Sequence, residues 1–264
     1  MIDLQLHLLP GFGIGPARLP EAVELARAAR ADGITTAVCA PPFDERNPPD
    51  PAAIDAALER TRAALADAAV DLTVISGGEL ALGSLMKLDQ HALRAASIDG
   101  AGRWLLVGLP ERGWPVDAPR IIEAVERAGY RVIIAHPERA DAVQRQPDRM
   151  RDVVGRGSLV QLEAGSLVGE HGAAAQRAAK TLMRSGMAHF IASGAHAARG
   201  VGAPRLIEGL RAAAAAVRVS EEDLRWLVQD GPAAVIGGSP VRPPRFGRGA
   251  RFTPDPDRPP PRGA

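Results

Sequence analysis

The sequence predicts a closed or distorted barrel of the α/β class, for three reasons. Short apolar runs typical of strands alternate six or seven times with segments that have the apolar period of a helix, which indicates βα units around a parallel sheet. The chain has 264 residues, 46% of them hydrophobic, which is enough for one barrel-sized domain with a buried core. The loop GFGIGP after the first strand lacks the spacing of a dinucleotide-binding fingerprint, which argues against an open, doubly wound sheet.

The elements follow in order from MIDLQLH, which has the alternation of a strand. A helix is predicted by Ala22, Leu25, Ala26 and Ala29, and it precedes the strand GITTAVCAPP. The next helix is predicted by Ile54, Ala57, Leu58, Thr61 and Leu65, and it precedes LTVISGGEL. WLLVGLP follows as a strand. Helices over 119–128, 147–156 and 173–185 then lead into the strands RVIIAHPER, LVQLEAGS and HFIASGAH.

The last part of the chain differs in composition from the rest. From Ser239 the sequence is rich in proline and arginine and has few apolar residues, so it cannot bury enough surface to offset the entropy of ordering. We therefore predict a barrel domain over residues 1–238 and a disordered tail over residues 239–264.

Overall charge and cysteine content restrict the classes of function. The net charge is +1, which provides no global attraction for nucleic acid. No apolar run is long enough to span a bilayer, and the N-terminus has no secretory signal, so we expect no membrane insertion. The single cysteine, Cys39, excludes an internal disulfide and suits a reducing, cytoplasmic location. We expect Cys39 to be buried and inert, because it lies inside an apolar strand.

Residues of metal-binding types stand at the ends of four predicted strands: His7, Glu79, His136 and His196. In an α/β barrel the carboxyl ends of the strands meet at one rim, so these side chains can converge there. Imidazole and carboxylate groups suit manganese, iron or zinc, and a carboxylate can bridge two ions. We therefore predict a metal site, with hydrogen-bonded structural histidines as the alternative.

The order and spacing of several motifs resemble the polymerase and histidinol phosphatase (PHP) family. The motifs are MIDLQLHLLPG, GGEL, AHPER, VQLEAGSL and HFIASGAH, and the similarity covers roughly residues 1–235. Within that family the sequence is similar to the CpsB/CapC-type bacterial protein-tyrosine phosphatases of capsule and exopolysaccharide synthesis. The resemblance implies a distorted (β/α)7 TIM-like barrel with up to three divalent metal ions, usually manganese, at its rim.

The resemblance also implies roles for individual residues and for partners. His7, Glu79, His136 and His196 match metal ligands of the family, with His136 and Arg139 also carrying catalysis, and Arg139 matches an arginine that grips the substrate phosphate. The implied partner is a phosphotyrosine protein, such as the tail of a polysaccharide-synthesis tyrosine kinase, and family members can form homo-oligomers.

Several positions depart from the family pattern. Gln5 replaces the first histidine of an H-x-H motif, and Gly13 and Ile14 replace the aspartates of a G-x-D-D-G-P loop. Pro42 replaces the histidine of a T-P-H segment, and Gly194 replaces the aspartate of S-D-A-H. Glycine, proline and isoleucine side chains offer no metal donor, and a neutral amide oxygen is a poor one. By this resemblance two of three metal positions are weakened.

For several other polar residues a structural role competes with a functional one. Arg199 and Arg205 could bind phosphate, as similar arginines do in the family, or form surface salt bridges. For Glu163 we expect an ion pair with a neighbouring arginine rather than the role of a catalytic base. We predict that His91, His171 and His189 are surface residues.

Two main functions remain open after this comparison. One is a metal-dependent tyrosine phosphatase with weak or lost activity, in which Glu79 and His136 hold a metal whose hydroxide attacks phosphorus, while Arg139 holds the phosphate. The other is a pseudophosphatase, a binding or regulatory module for the kinase that has lost the chemistry. A one-metal hydrolase of another ester or amide is a third reading.

Overall fold

The structure is a computed structural model that describes residues 1–44, 46, 48 and 50–243. Within these residues the strands are β1 (Ile2–Leu6), β2 (Thr36–Cys39), β3 (Pro42–Phe43), β4 (Thr73–Ile75), β5 (Glu79–Ala81), β6 (Trp104–Gly108), β7 (Arg131–Ala135), β8 (Leu159–Glu163) and β9 (Phe190–Ala192). The α-helices are α1 (Leu19–Ala31), α2 (Pro51–Asp67), α3 (Gln90–Ala96), α4 (Ala118–Arg127), α5 (Asp141–Arg145), α6 (Met150–Gly155), α7 (Ala164–Val168), α8 (Gly172–Arg184), α9 (Leu206–Val217) and α10 (Asp230–Gly237).

The strands form a parallel barrel. Two of the strand positions in its wall, here called staves, are each occupied by two short strands instead of one. β2 pairs with β4 and β3 pairs with β5, both in parallel, so β2 with β3 and β4 with β5 act as single interrupted strands. The order continues from β5 through β6, β7 and β8 to β9. A bridge between Leu6 and Ala195 then returns to β1. Counted in this way, the described strands make seven staves, and the predicted distorted (β/α)7 barrel is confirmed.

The interruptions have local causes that the sequence prediction of two unbroken strands did not include. Pro41 and Pro42 have no N–H to donate to a neighbouring strand. Gly77 and Gly78 pass close to the other broken stave: a Cβ at Gly77 would lie 2.6 Å from Val38 Cγ1, and one at Gly78 would lie 2.6 Å from Phe43 Cε2. The chain therefore kinks at both places and opens the barrel wall beside Glu79.

The helices bury the faces that their sequence period indicates. In α1 the buried residues include the four predicted ones, and in α2 the five predicted positions are the buried ones. Asp50 caps α2, accepting from the backbone N–H of Ala52 at 3.0 Å. The segment predicted as a helix over 147–156 instead begins with a 3-10 turn, Pro147–Arg149, before α6.

Alternation along the strands divides the core into two layers. On β8, Val160 and Leu162 pack outward against the helices, whereas Leu159 belongs to the cluster inside the barrel. By the same alternation Gln161 and Glu163 face inward, nearer the carboxyl end of the strand. The interior is therefore apolar at depth and polar at the rim, where a site can form.

Packing continues a little beyond α10. Val241 is buried with the interior cluster, although it lies within the segment 239–264 that the sequence assigns to a disordered tail. Residues 244–264 of that segment lie outside the described residues. In the described part of the chain, no helix is both long and apolar enough to cross a membrane.

Candidate functional site

The carboxylate of Glu79 lies at the centre of a side-chain cluster at the rim of the barrel. Oε1 of Glu79 is 2.8 Å from Nε2 of His136, and Oε2 accepts a hydrogen bond of 2.8 Å from Nε2 of Gln5. Nε2 of His7 is 3.9 Å from Oε2 of Glu79. The structure thus brings together three of the four residues predicted to bind metal, with Gln5 between them.

Each member of this cluster lies in a strand or follows one directly. Gln5 belongs to β1, His7 follows β1, and Glu79 begins β5 at the kink in the barrel wall. His136 follows β7 and has φ 33° and ψ 50°, in the left-handed region that is uncommon for a residue other than glycine. Its backbone N–H donates to the carbonyl of Gln161 at 2.8 Å, which ties this turn to β8.

Burial and charge attraction compete in the pair of Glu79 and His136, and attraction is the stronger. Burial favours the neutral carboxyl, but the adjacent imidazolium lowers the pKa of Glu79 to about 2. Burial also favours the neutral imidazole, but the carboxylate raises the pKa of His136 to about 9. Burial lowers the pKa of His7, which favours the neutral form of this ring. The pair is therefore an ion pair at neutral pH.

The amide of Gln5 is oriented by a second glutamine. Gln161 Nε2 donates to Gln5 Oε1 at 2.7 Å, so the NH2 group of Gln5 is the end that faces Glu79. A hydrogen-bond donor therefore approaches the carboxylate where a metal cation would otherwise approach. Gln161, which the sequence analysis did not select, is thus part of the site.

The donor groups do not fit the metal cluster that the resemblance implies. Among residues 1–44, 46, 48 and 50–243, no group of three or more His, Cys, Asp or Glu side chains is arranged to hold a metal ion. Both oxygens of Glu79 already have partners, Gln5 and His136. Two potential metal donors of this cluster, Nδ1 of His7 and Oε1 of Gln161, are buried without a hydrogen-bond partner, as is Oε2 of the nearby Glu138.

A second cluster surrounds Glu163 at the end of β8. Its Oε2 accepts from Arg139 Nη1 at 3.1 Å, which confirms the predicted ion pair with an arginine. Its Oε1 is 2.6 Å from Nε2 of His171. Arg139 also contacts Glu111, at 3.4 Å. Arg139 is therefore held between two carboxylates.

The prediction that His171 is a surface residue is wrong. The short helix α7 is followed by Gly169, whose φ of 95° turns the chain back over the rim, and this places His171 against Glu163. The side chain of His171 is 19% exposed. The two glycines of the segment Ala164–Gly169 were a sequence signal for such a tight return.

Two replaced positions are filled by their surroundings. Gly194 has φ 62°, and a Cβ there would lie 2.8 Å from Cδ of Glu163, so the glutamate occupies the space of the absent side chain. Gly13 has φ 61°, and its Cβ would lie 2.3 Å from Cγ of Pro42. The neighbouring Ile14 is exposed. Two substitutions, Gly13 and Pro42, therefore pack against each other.

The remaining predicted residues lie around the β9 end of the rim. His196 Nδ1 is 3.3 Å from the carbonyl of Gly194, and His196 is close enough to His7 to contribute to lowering its pKa. Arg199 is exposed. Arg205 forms an ion pair of 2.9 Å with Glu208 and lies 3.6 Å from a carboxylate oxygen of Glu170.

Two of the other predictions on single residues are confirmed and one is wrong. Cys39 is fully buried, and burial raises the pKa of its thiol to about 12, so it is inert as a nucleophile. His91 is exposed on α3. His189 is buried rather than on the surface, because its Nδ1 accepts from the N–H of Val160 at 2.9 Å. Burial lowers the pKa of His189 to about 3.

A cleft of about 700 Å³ opens beside Glu79, along the kinked wall of the barrel. Its apolar lining includes Met86, a strongly exposed methionine. Its charged lining comprises Glu79, Asp44 and Asp117 against Lys87. The cleft thus carries more negative than positive groups.

Comparisons with known proteins agree with this architecture. Residues 1–237 match the family model described as capsular polysaccharide synthesis, CpsB/CapC. The chain is 28% identical over 199 residues to the tyrosine-protein phosphatase YwqE of Bacillus subtilis, covering 74% of this chain and 77% of YwqE. It is 28% identical over 201 residues to the CapC protein of Staphylococcus aureus, with the same coverage of both chains.

Solved structures support the fold independently. One is a chain from a study of YwqE from Bacillus subtilis and CpsB from Streptococcus pneumoniae, described as metal-dependent tyrosine phosphatases. It superposes with a TM-score of 0.83 at 23% identity, over 96% of this chain and 99% of that one. A variant of an organophosphorus hydrolase from Deinococcus radiodurans gives a TM-score of 0.55 at 18% identity, over 89% and 92% of the two chains. The chain therefore belongs to the CpsB/CapC family of capsular polysaccharide synthesis.

Proposed function

We propose that this protein binds a phosphotyrosine protein of the cytoplasmic capsule or exopolysaccharide machinery without hydrolysing it by the metal-dependent route, that is, as a pseudophosphatase. The observation that carries the proposal is the state of Glu79. Its two carboxylate oxygens are used by Gln5 and His136, at 2.8 Å each. A carboxylate that bridges metal ions needs those oxygens free.

The positive charge that would balance Glu79 is supplied by the protein. His136 is the cationic partner, and the NH2 group of Gln5 is the neutral one. Hydrolysis of a phosphate ester by this family type requires an activated hydroxide and cations that offset developing charge. An imidazolium that is paired with Glu79 generates no hydroxide, and its positive charge is already offset by the carboxylate.

The partner follows from the family and its named relatives. The relative from Bacillus subtilis carries the name tyrosine-protein phosphatase, and the family model concerns capsular polysaccharide synthesis. A phosphorylated tyrosine on a polysaccharide-synthesis kinase is the matching ligand. Arg139, and after it Arg199 and Arg205, are the arginines of the rim that we assign to phosphate in this proposal. Because family members can form homo-oligomers, we also expect this chain to self-associate.

A slow, single-metal phosphatase using manganese or another divalent ion is the competing function. It is favoured by the buried Nδ1 of His7, which has no hydrogen-bond partner. In that alternative, Glu79 would have to release Gln5 or His136 to share a metal with His7 and with His196 nearby. The two functions differ in turnover, which can be measured.

The test combines turnover and binding of one fluorescent phosphotyrosine peptide, with its unphosphorylated form as the reference. We expect the wild-type chain with added Mn²⁺ to release no phosphate above the background of buffer, and to bind the phosphorylated peptide more tightly in fluorescence anisotropy. Manganese-stimulated release that His136→Ala abolishes and His91→Ala preserves would establish the phosphatase instead. Equal affinity for the two peptides would refute the binding function.

A further inference from the structure

A small basic pocket lies beside the barrel rim, between α4 and α6. Its volume is about 90 Å³, and its walls include Trp114, Ile122, Arg149 and Arg156. The guanidinium of Arg149 lies over the ring of Trp114, with its central carbon 5.6 Å from the ring centroid. The pocket therefore combines an aromatic surface with two cations.

The two arginines of this pocket have fewer carboxylate partners than Arg139 has at the rim. Among the described residues, neither Arg149 nor Arg156 has a carboxylate oxygen within 4.0 Å, whereas the neighbouring Arg151 forms an ion pair of 2.9 Å with Asp148. Asp152 is the one acidic residue in the lining, so the pocket has a net positive charge. By contrast, Arg139 at the rim is held by Glu163 and Glu111.

The pocket is connected to the rim through the loop that follows β6. The N–H of Gly113, next to Trp114, donates to Oδ1 of Asp141 at 2.9 Å. The N–H of Asp141 donates to the carbonyl of Glu111 at 2.8 Å, and the side chain of Glu111 contacts Arg139. A ligand held on Trp114 therefore lies on the loop that borders the candidate site.

We propose that this pocket is a second phosphotyrosine-binding site of the protein, beside the arginines of the rim. The inference rests on the proposed function, because it takes the phosphotyrosine partner from there. A planar guanidinium offers paired N–H donors to phosphate oxygens, which Arg149 and Arg156 would supply. Because the guanidinium of Arg149 already lies over Trp114, the ring of the ligand would lie along the apolar wall at Ile122, at the edge of Trp114, with aromatic contact as the second source of selectivity.

Phosphotyrosine matches the pocket better than other anions do. A nucleic acid needs a row of cations along its backbone, whereas this pocket is a single indentation with two arginines and one acid, Asp152. A phosphoserine has no ring to place against Trp114. The cleft beside Glu79 has more acids than bases in its lining and would repel the phosphate.

The test measures anisotropy of a fluorescent phosphotyrosine peptide with Arg149→Ala and with Arg60→Ala as the matched control. Arg60 is an exposed arginine on another helix, α2, so both variants lose one surface charge. We expect Arg149→Ala to weaken binding about tenfold, since it removes a charge-assisted contact, and Arg60→Ala to leave it within about twofold. Arg149→Lys keeps the charge but loses the planar group, and should recover only part of the affinity.

The outcomes separate this inference from the proposed function. Wild-type binding that Arg149→Ala leaves unchanged but Arg139→Ala abolishes would overturn the pocket and keep the phosphotyrosine-binding function at the rim. A wild-type chain that fails to prefer the phosphorylated peptide would overturn both. A phosphoserine peptide bound as tightly as the phosphotyrosine peptide would remove the role of Trp114, and tighter binding of single-stranded nucleic acid would reassign the pocket.

Discussion

Replacing His136 with alanine should destabilise the fold by about 3 kcal/mol at pH 7. The variant leaves the buried carboxylate of Glu79, whose side chain is 14% exposed, with Gln5 as its remaining partner. Removing one member of a buried ion pair costs roughly 3–5 kcal/mol. The lowering of the pKa of Glu79 from 4.5 to about 2 corresponds to roughly 3–4 kcal/mol, at about 1.4 kcal/mol per tenfold change.

The assay is urea denaturation of wild type, His136→Ala and the control His91→Ala, which alters an exposed histidine on α3. The control should change the free energy of unfolding by less than about 0.5 kcal/mol. The wild type should unfold at the same urea concentration with and without a chelator. A loss below about 1 kcal/mol for His136→Ala, or a wild type that the chelator destabilises, would refute the ion pair as the organising contact of the site.

Three further predictions concern other parts of the molecule. Lowering the pH from 7 to about 4.5 should reduce the free energy of unfolding by about 3 kcal/mol through His189. The pKa of this residue is 6.5 in the unfolded chain and about 3 in the folded one, so its stabilising contribution is complete above pH 6.5 and is lost as the pH falls towards 3. In denaturation curves His189→Gln should reduce this loss. Gly194→Asp should destabilise the protein by about 1–3 kcal/mol, because its Cβ meets Glu163, and adding Glu163→Ala should reverse part of the loss in the same assay. Cys39 should resist a thiol reagent in the native state and react once urea unfolds the chain.

The barrel could be predicted from the sequence because its signal is local. Each βα unit has its own apolar period, and the buried positions of α2 are those that the period indicates. The break at Pro41 and Pro42 had a local signal, the missing N–H groups, which the prediction of an unbroken strand did not use, whereas the break at Gly77 and Gly78 depends on the approach of Gly77 to Val38 across the sheet. That contact belongs to the folded arrangement and has no local pattern.

The sequence was sufficient to predict which residues meet at the site, but not which hydrogen bonds they form there. Strand ends pointed to His7, Glu79 and His136, since barrel topology gathers such residues at one rim. The partner that Gln5 would choose was not predictable, because it depends on the orientation that Gln161 imposes from 156 positions away. His189 was misassigned because a neutral imidazole packs in a core as well as on a surface, and its contact with Val160 lies outside any sequence pattern.

Elemental analysis of the protein, purified without chelator and then dialysed against Mn²⁺, tests most directly whether the rim still holds metal. Because Gln5 and His136 occupy the oxygens of Glu79, we predict well below one tightly bound ion per chain, and no difference between the wild type and His136→Ala. Two or three ions per chain in the wild type, lost in His136→Ala, would contradict the replacement of metal by protein groups at this site.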